Sequence, residues 1–99
     1  MKDNVVKDKS LEFAVRIVNL YKFLVNEQKE FVMSKQILRS GTSIGANIRE
    51  AEQAQSRADF INKLNIALKE ANETEYWLEL LIRTEYITRE PVSYTHLRA

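Results

Sequence analysis

Residues that form turns are scarce in this chain, whose 99 residues include one proline and two glycines. A sandwich or barrel of short strands needs a turn about every 8–12 residues, and glycine and proline supply many of the required backbone conformations. Long helices need few turns, so helices must carry the fold. With 44% apolar residues and this length, the chain fits one globular domain. The composition therefore predicts a single all-α domain.

The chain also lacks the residues that many metal and redox sites require. It has no cysteine and one histidine, His96, which excludes disulfides, thiolate metal sites and sites built from two imidazoles. Its first residues lack the apolar core of a signal peptide, and no stretch approaches the ~18 apolar residues of a membrane span. We therefore expect a cytoplasmic protein with no membrane contact, no cofactor and no small-molecule substrate.

Three segments repeat apolar residues with the 3.6-residue period of an amphipathic helix. The first begins near Ser10, and the second covers about residues 31–55, with the polar run 26–30 between them. The second stripe passes through the small residues 40–43 without losing its phase. This favours one helix of about 25 residues over two short helices joined by a loop.

The third helix has a clear start signal at Ser56, whose side chain can accept a hydrogen bond from the amide of Asp59. Its apolar pattern continues to about Glu85. Three helices joined by short connections predict an antiparallel up-and-down bundle. We divide the chain into a frayed N-terminus (1–9), a helical bundle (10–87) and a non-helical tail (88–99).

Gly41 and Gly45 stand one helical turn apart inside the second helix, although each glycine costs a helix ~1 kcal/mol relative to alanine. Such a step allows another helix to approach closely. A phosphate-binding loop is the sharper alternative, but the lysine and glycine spacing of a P-loop is absent. The predicted helix-packing motif consists of Ser40, Gly41, Ile44, Gly45, Asn47, Ile48 and Glu50.

Within that motif, Asn47 and Glu50 are polar residues on or beside the apolar stripe. Buried polar groups need hydrogen-bond partners, so we expect these two to fix the helix register through a polar network. Acid–base catalysis by Glu50 or Glu75 is the alternative. No histidine or nucleophile accompanies them in the sequence, and we therefore expect no enzymatic activity.

Charge is unevenly distributed, with a net +4 over residues 1–49 and a net −3 over residues 50–99, which together give the overall +1. Helix faces that pair within or between subunits are the ordinary explanation. A basic face for an anionic partner such as RNA is the alternative. The residues predicted to form that face are Arg16, Lys22, Lys35, Arg39 and Arg49.

Tyr76 and Trp77 are adjacent on the third helix and must point in different directions, so at least one leans away from the core. We predict that Trp77 anchors a subunit interface, with stacking on a base as the alternative. Self-association is expected on size alone, because a domain this small buries only ~60–65% of the surface of its unfolded chain.

A resemblance rests on the second helix, residues 36–51, which combines small and polar residues in an unusual way. Together with Ser56, Asp59-Phe60 and Tyr76-Trp77-Leu78, it resembles the four-helix-bundle proteins called 23S rRNA intervening sequence proteins, over about residues 10–87. The resemblance implies an up-down-up-down bundle, a ring-like homopentamer and no catalytic residues. A related branch looks like the accessory proteins of diversity-generating retroelements, which engage a reverse transcriptase and nucleic acid.

The C-terminal end departs from the family pattern. A fourth helix should begin shortly after Ile87, where this chain has Pro91 and an unrelated tail. We therefore expect three long helices, with the fourth truncated or replaced by the tail. The missing helix should leave an apolar strip bordered by Leu20, Leu24, Leu64 and Leu81.

The sequence thus predicts a non-enzymatic subunit that self-assembles, as a pentamer by family resemblance, and associates with RNA or ribonucleoprotein. The alternatives are a protein-interaction scaffold without a nucleic-acid role and a reverse-transcriptase accessory subunit of a diversity-generating retroelement.

Overall fold

The computed structural model describes residues 5–89, which form three α-helices and no strand. Helix α1 spans Val5–Asn26, α2 spans Met33–Glu52 and α3 spans Arg57–Arg83. The all-α fold and the three long helices predicted from the sequence are confirmed. Residues 40–43 lie within α2, so the unbroken apolar phase correctly indicated one helix.

Helix α2 is the middle helix of the bundle. It packs against both α1 and α3, whereas no Cα atom of α1 lies within 8 Å of one of α3 among the described residues. Gly41 faces Ile17 of α1, and Gly45 faces Ser10. Residue numbers rise along α2 as they fall along α1, so these two helices are antiparallel, as expected of an up-and-down bundle.

The α2–α3 pair is also antiparallel. The hydroxyl of Thr74 in α3 shares a hydrogen bond of 2.9 Å with the hydroxyl of Ser40 in α2. Lys63, three turns earlier in α3, forms an ion pair with Glu50 near the other end of α2. The Ser56 side chain accepts from the Asp59 amide at 3.0 Å, which confirms the predicted N-cap of α3.

Helix α1 begins earlier than the sequence suggested. We expected residues 1–9 to fray, but residues 5–9 belong to α1, and residues 1–4 lie outside the described part of the chain. The physical reason is that this first turn is in contact with the rest of the bundle. Lys7 forms an ion pair with Glu52 of α2, with Nζ and Oε1 3.8 Å apart, and Val6 lines a depression together with Ile48 of α2.

The connection between α1 and α2 is built around Glu30. Lys29 adopts a φ of 55°, which turns the chain away from α1. The buried Glu30 carboxylate then accepts hydrogen bonds from the amides of Val32, Met33 and Ser34. The first amides of a helix have no partner within it, so this carboxylate caps α2.

The core lies at the end of the bundle where the chain passes from α1 to α2. Its fully buried members come from all three helices: Leu20, Leu24, Ile37 and Leu81. The expectation that Leu20, Leu24 and Leu81 border an exposed strip is therefore wrong. After α3, Glu85 adopts a φ of 70° and the chain turns back, which brings Ile87 onto this core and covers it.

Residues 84–89, which follow α3, form no further helix, and the rest of the predicted tail, including Pro91 and His96, lies outside the described residues. None of the helices described here is long and apolar enough to cross a membrane.

Candidate functional site

The predicted helix-packing motif lies at the α1–α2 contact. A Cβ atom at position 41 would come within 2.8 Å of the Ile17 side chain, which is shorter than real contacts allow. A Cβ at position 45 would come within 3.2 Å of the Ser10 hydroxyl. The two glycines therefore allow α1 to approach α2 closely, as the sequence spacing indicated.

Helix register between α2 and α3 is held by a buried pair of hydroxyls. Ser40 and Thr74 are both inaccessible to solvent and are joined by the hydrogen bond described above. The Thr74 hydroxyl donates to the carbonyl of Glu70 in its own helix at 2.8 Å, so its oxygen can accept from Ser40. A buried polar pair is satisfied only in one alignment of the two helices, so it selects the observed register.

Asn47 and Glu50 do not form the buried network that we expected of them. The Asn47 amide donates to the carbonyl of Ser43 in its own helix. Glu50 is exposed and forms a 2.8 Å ion pair with Lys63, which raises the pKa of the Lys63 ammonium through their hydrogen bond. The register-fixing role belongs to Ser40 and Thr74 instead.

An apolar groove runs between α1 and α3 at the end of the bundle opposite the core. It contains two adjoining depressions of about 430 and 270 Å³ that share Val6 and Ile48. Leu64, 38% exposed, lies on its α3 side, so this member of the predicted apolar strip is open to solvent. We use "apolar groove" for Val6, Phe13, Ile44, Ile48, Phe60 and Leu64.

A smaller depression of about 100 Å³ lies on the other side of the α1–α2 pair. Thr42 and Ala46 each lie two residues from Ile44, which is about 200° around the helix, so they face away from the apolar groove. Small side chains form most of the floor. We call this depression the back valley, which is lined by Lys7, Ser10, Leu11, Ala14, Thr42, Gly45, Ala46 and Arg49.

Of the five basic residues predicted to face an anionic partner, Arg49 lines the back valley, and three others lie on the same side of the α1–α2 pair. Lys35, Arg39 and Arg49 share one side of α2, because steps of 4 and 14 residues are close to whole helical turns. Lys22 follows Leu11 by 11 residues and lies on the same side of α1. The fifth, Arg16, follows Phe13 by one turn and lies on the groove side. The structure therefore does not bring all five together.

Arg39 differs from the others because it is already paired. Its guanidinium donates to the carboxylates of Glu70 and Glu73 in α3, and the hydrogen bond to Glu73 is the main reason that its pKa is raised. By contrast, no ion pair joins Arg16, Lys22, Lys35 or Arg49 to another described residue. The cross-helix pairs of Arg39 agree with the explanation that the uneven charge reflects pairing between helices.

Trp77 packs against the core instead of standing out from the bundle. Its indole Nε1 donates to Glu73 at 3.0 Å, and its ring meets the Tyr76 ring edge-on with centroids 5.1 Å apart. Hydrogen bonds from Trp77 and Arg39 lower the pKa of the Glu73 carboxyl. Tyr76, which is 61% exposed, is the aromatic residue of the pair that faces solvent.

Residues 5–89 contain no group of three or more histidine or acidic side chains placed to hold a metal ion. The apolar groove, the back valley and the unpaired cations are candidate interaction features of the described surface, beside a depression of about 430 Å³ that is lined mostly by charged residues of all three helices. A family model described as 23S rRNA-intervening sequence protein matches residues 2–98. The chain belongs to this family. Among proteins with curated descriptions, none matches it significantly.

A solved crystal structure provides a comparison for this member of the 23S rRNA-intervening sequence protein family. A crystal structure of a protein with unknown function from the S23 ribosomal protein family of Bacteroides thetaiotaomicron matches with a TM-score of 0.86. The sequences are 94% identical, and the match covers 92% of this chain and 82% of that chain. The three-helix arrangement is therefore shared with a solved relative.

One structural residue of this family member was missed in the sequence. Glu30 was assigned only to a polar connection, yet it provides three hydrogen bonds to the α2 amides. The available signal was an acidic residue immediately before the second apolar stripe, where negative charge favours a helix N-terminus.

Proposed function

We propose that this protein is a non-enzymatic helical subunit that self-assembles into a homo-oligomer, and that the assembly binds RNA or ribonucleoprotein. The observation that carries the proposal is the exposure of large apolar side chains on two different helices. Leu11 on α1 and Leu68 on α3 are 52% and 61% exposed. On α3, Phe60, Ile61 and Leu64 are also exposed within about two turns of Leu68. A contiguous apolar strip of this kind usually marks an interface between molecules.

Self-assembly also fits the size of the domain. A three-helix domain of this length has a small core, and association adds buried apolar area that the single chain cannot supply. The resemblance noted in the sequence implies five copies, and we include the pentamer in the proposal. The apolar groove adds further uncovered area between α1 and α3.

The RNA part of the proposal rests on unpaired cations and on the family description. Arg16, Lys22, Lys35 and Arg49 are exposed without ion-pair partners among the described residues. Repeating them around an oligomer would multiply a weak basic surface into one able to follow a phosphate backbone. The family description names 23S ribosomal RNA, and the proposal includes a cytoplasmic location, where that RNA is found.

Two measurements test these parts separately. Sedimentation velocity of the full chain should show an oligomer, and filter binding to structured RNA should weaken steeply as the salt concentration rises. Arg16→Gln should weaken RNA binding and reduce its salt dependence, because Arg16 is exposed and lies outside the back valley. Arg39→Gln is the matched control, because Glu70 and Glu73 already neutralise Arg39.

The opposite results would identify the alternative. An oligomer that binds no RNA at any salt concentration would contradict the RNA part and favour a protein-interaction scaffold. A chain that stays monomeric up to high concentration would contradict self-assembly.

A further inference from the structure

Helix α3 carries an exposed stripe that faces away from α2. Leu68 and Ile61 lie about 120–140° around the helix from Thr74, which bonds to α2. Leu68 is 61% exposed and Ile61 is 44% exposed. The first half of the stripe carries two apolar side chains with Asn65 between them, and its second half ends in an exposed carboxylate. We call it the α3 stripe, which consists of Ile61, Asn65, Leu68, Asn72 and Glu75.

The back valley lies at the opposite edge of the molecule, since α2 separates α1 from α3. Its floor is made of small residues, including Ala14 and Ala46, which leave room for the side chains of a neighbouring helix. Leu11 forms an exposed apolar rim. Beyond this apolar part, the unpaired ammonium groups of Lys22 and Lys35 lie on the same side of the bundle.

The two surfaces match in height along the bundle. The Ser40–Thr74 and Glu50–Lys63 contacts place Leu68 level with Ala46. The Gly41–Ile17 and Gly45–Ser10 contacts place Ala46 level with Leu11 or its neighbours. The apolar halves of both surfaces therefore lie at one level.

The charged halves match in the same way. The Ser40–Thr74 contact places Glu75 level with residue 39 of α2, which is one helical turn from Lys35. The Gly41–Ile17 contact places Lys22 of α1 at nearly the same height as Lys35. Glu75 has no ion pair among the described residues, and neither do Lys22 or Lys35. When two bundles stand side by side in the same vertical orientation, the apolar part of one copy's α3 stripe faces the apolar part of the other copy's back valley. The carboxylate of the stripe then faces the ammonium groups beside the valley.

We propose that the α3 stripe of one copy packs into the back valley of a second copy, so that the protein assembles head to tail through two different surfaces. This rests on the self-assembly proposed above. Leu68 fills the space over Ala46 beside Leu11, and Glu75 pairs with Lys35. Arg16 and Lys22 remain open for the RNA proposed above. Each copy keeps one unused stripe and one unused valley, so the contact repeats and closes into a ring when the rotation permits.

Two single variants test this arrangement in the full chain. Leu68→Arg blocks the stripe, and Ala46→Arg blocks the valley. Each alone should be monomeric by sedimentation velocity at concentrations where the parent assembles. An equimolar mixture should form a 1:1 dimer and nothing larger, because only one intact stripe and one intact valley remain. Glu12→Arg, at an exposed α1 position outside both surfaces, is the matched control and should assemble as the parent does.

The outcomes distinguish this contact from self-assembly in general. If the parent assembles and both arginine variants do so equally well, the proposed contact is wrong while self-assembly stands. If each variant is monomeric but the mixture remains monomeric, the interface is not head to tail. A parent that never assembles overturns both proposals.

A charge exchange provides a second test with surface substitutions that the fold tolerates. Glu75→Lys should weaken assembly by about tenfold or more, because it places like charges opposite each other. Lys35→Glu should do the same. Combining both substitutions in one chain should restore most of the affinity, since each contact again joins opposite charges. If the double variant lost as much assembly affinity as the two single variants lose together, the pairing of Glu75 with Lys35 would be wrong.

Discussion

Ile17 occupies the space directly above Gly41, at a distance that leaves no room for even a methyl group on residue 41. All three of the nearest atoms belong to the branched Ile17 side chain, which is itself buried in the core. We predict that Gly41→Ala destabilises the protein by about 1–3 kcal/mol through overpacking, despite the better helix propensity of alanine. Urea unfolding followed by circular dichroism measures this change.

Gly45→Ala is the matched control for that prediction. A methyl group there meets the Ser10 hydroxyl at 3.2 Å, a milder contact than at position 41. Its cost should therefore be smaller and partly offset by helix propensity. Equal losses at both positions would contradict the difference in packing between the two glycines.

The hydrogen bond between Thr74 and Ser40 should be measurable as a coupling. Thr74→Val keeps the shape of the side chain but leaves the buried Ser40 hydroxyl without this partner, and we expect a loss of about 1 kcal/mol. In a double-mutant cycle with Ser40→Ala, the coupling should be about 0.5–1.5 kcal/mol. Thr42→Val is the control, since the Thr42 hydroxyl bonds only within α2. Strict additivity would contradict a direct interaction.

Removal of the Glu30 carboxylate should weaken the start of α2. Glu30→Ala leaves three backbone amides without their acceptor, and we expect a loss of about 1–2 kcal/mol. Amide hydrogen exchange at Met33 and Ser34 should accelerate more than elsewhere. Glu27→Ala, at an exposed position of the same connection, should change neither measurement. Unchanged exchange in Glu30→Ala would show that the cap contributes little.

Acid should remove part of the stability through Glu73. Hydrogen bonds from Trp77 and Arg39 lower the pKa of this carboxyl in the folded state, whereas the unfolded carboxyl titrates near pH ~4.3. The stabilisation is therefore present above the unfolded pKa and is lost as the pH falls through the lower, folded pKa. Glu73→Gln should lose less stability than the parent as the pH falls below ~5, with Glu12→Gln as the control. An identical acid dependence in Glu73→Gln and the parent would rule out this contribution.

The apolar groove should accept an additional helix. A helix of ~20–25 residues spans ~30–37 Å, enough to run from the end of α3 along the groove. Replacing residues 88–99 with an amphipathic helix of this length should raise the melting temperature by about 5 °C or more through burial of Phe60, Leu64 and Ile48. The same helix with its apolar positions changed to serine is the control. No difference between the two would show that the groove does not bind it.

Periodicity in the sequence predicted the helices well because helix packing depends on which face is apolar. The continuous stripe through Gly41 and Gly45 identified α2 as one helix, and the Ser56–Asp59 pair located the start of α3. The spacing of the glycines also predicted close approach of a neighbour, since the absence of a side chain has the same meaning in any helical context.

The sequence was less informative where the outcome depended on tertiary contacts. Leu20 and Leu81 are buried because a turn at Glu85 returns Ile87 to the core, and a single positive φ leaves no periodic signal. Ser40 was included for its small size, but its hydrogen bond depends on the height at which Thr74 meets it. Likewise, the pairing of Arg39 with Glu70 and Glu73 joins residues more than thirty positions apart.

The central position of α2 has a consequence for the order of folding. Each helix packs on the helix that precedes or follows it in the chain, so the two principal helix contacts join elements separated only by short connections. Such local contacts need little loop closure before they form, and proteins dominated by them fold in microseconds to milliseconds. Either helical hairpin, α1–α2 or α2–α3, can therefore form first and present α2 as a template for the remaining helix.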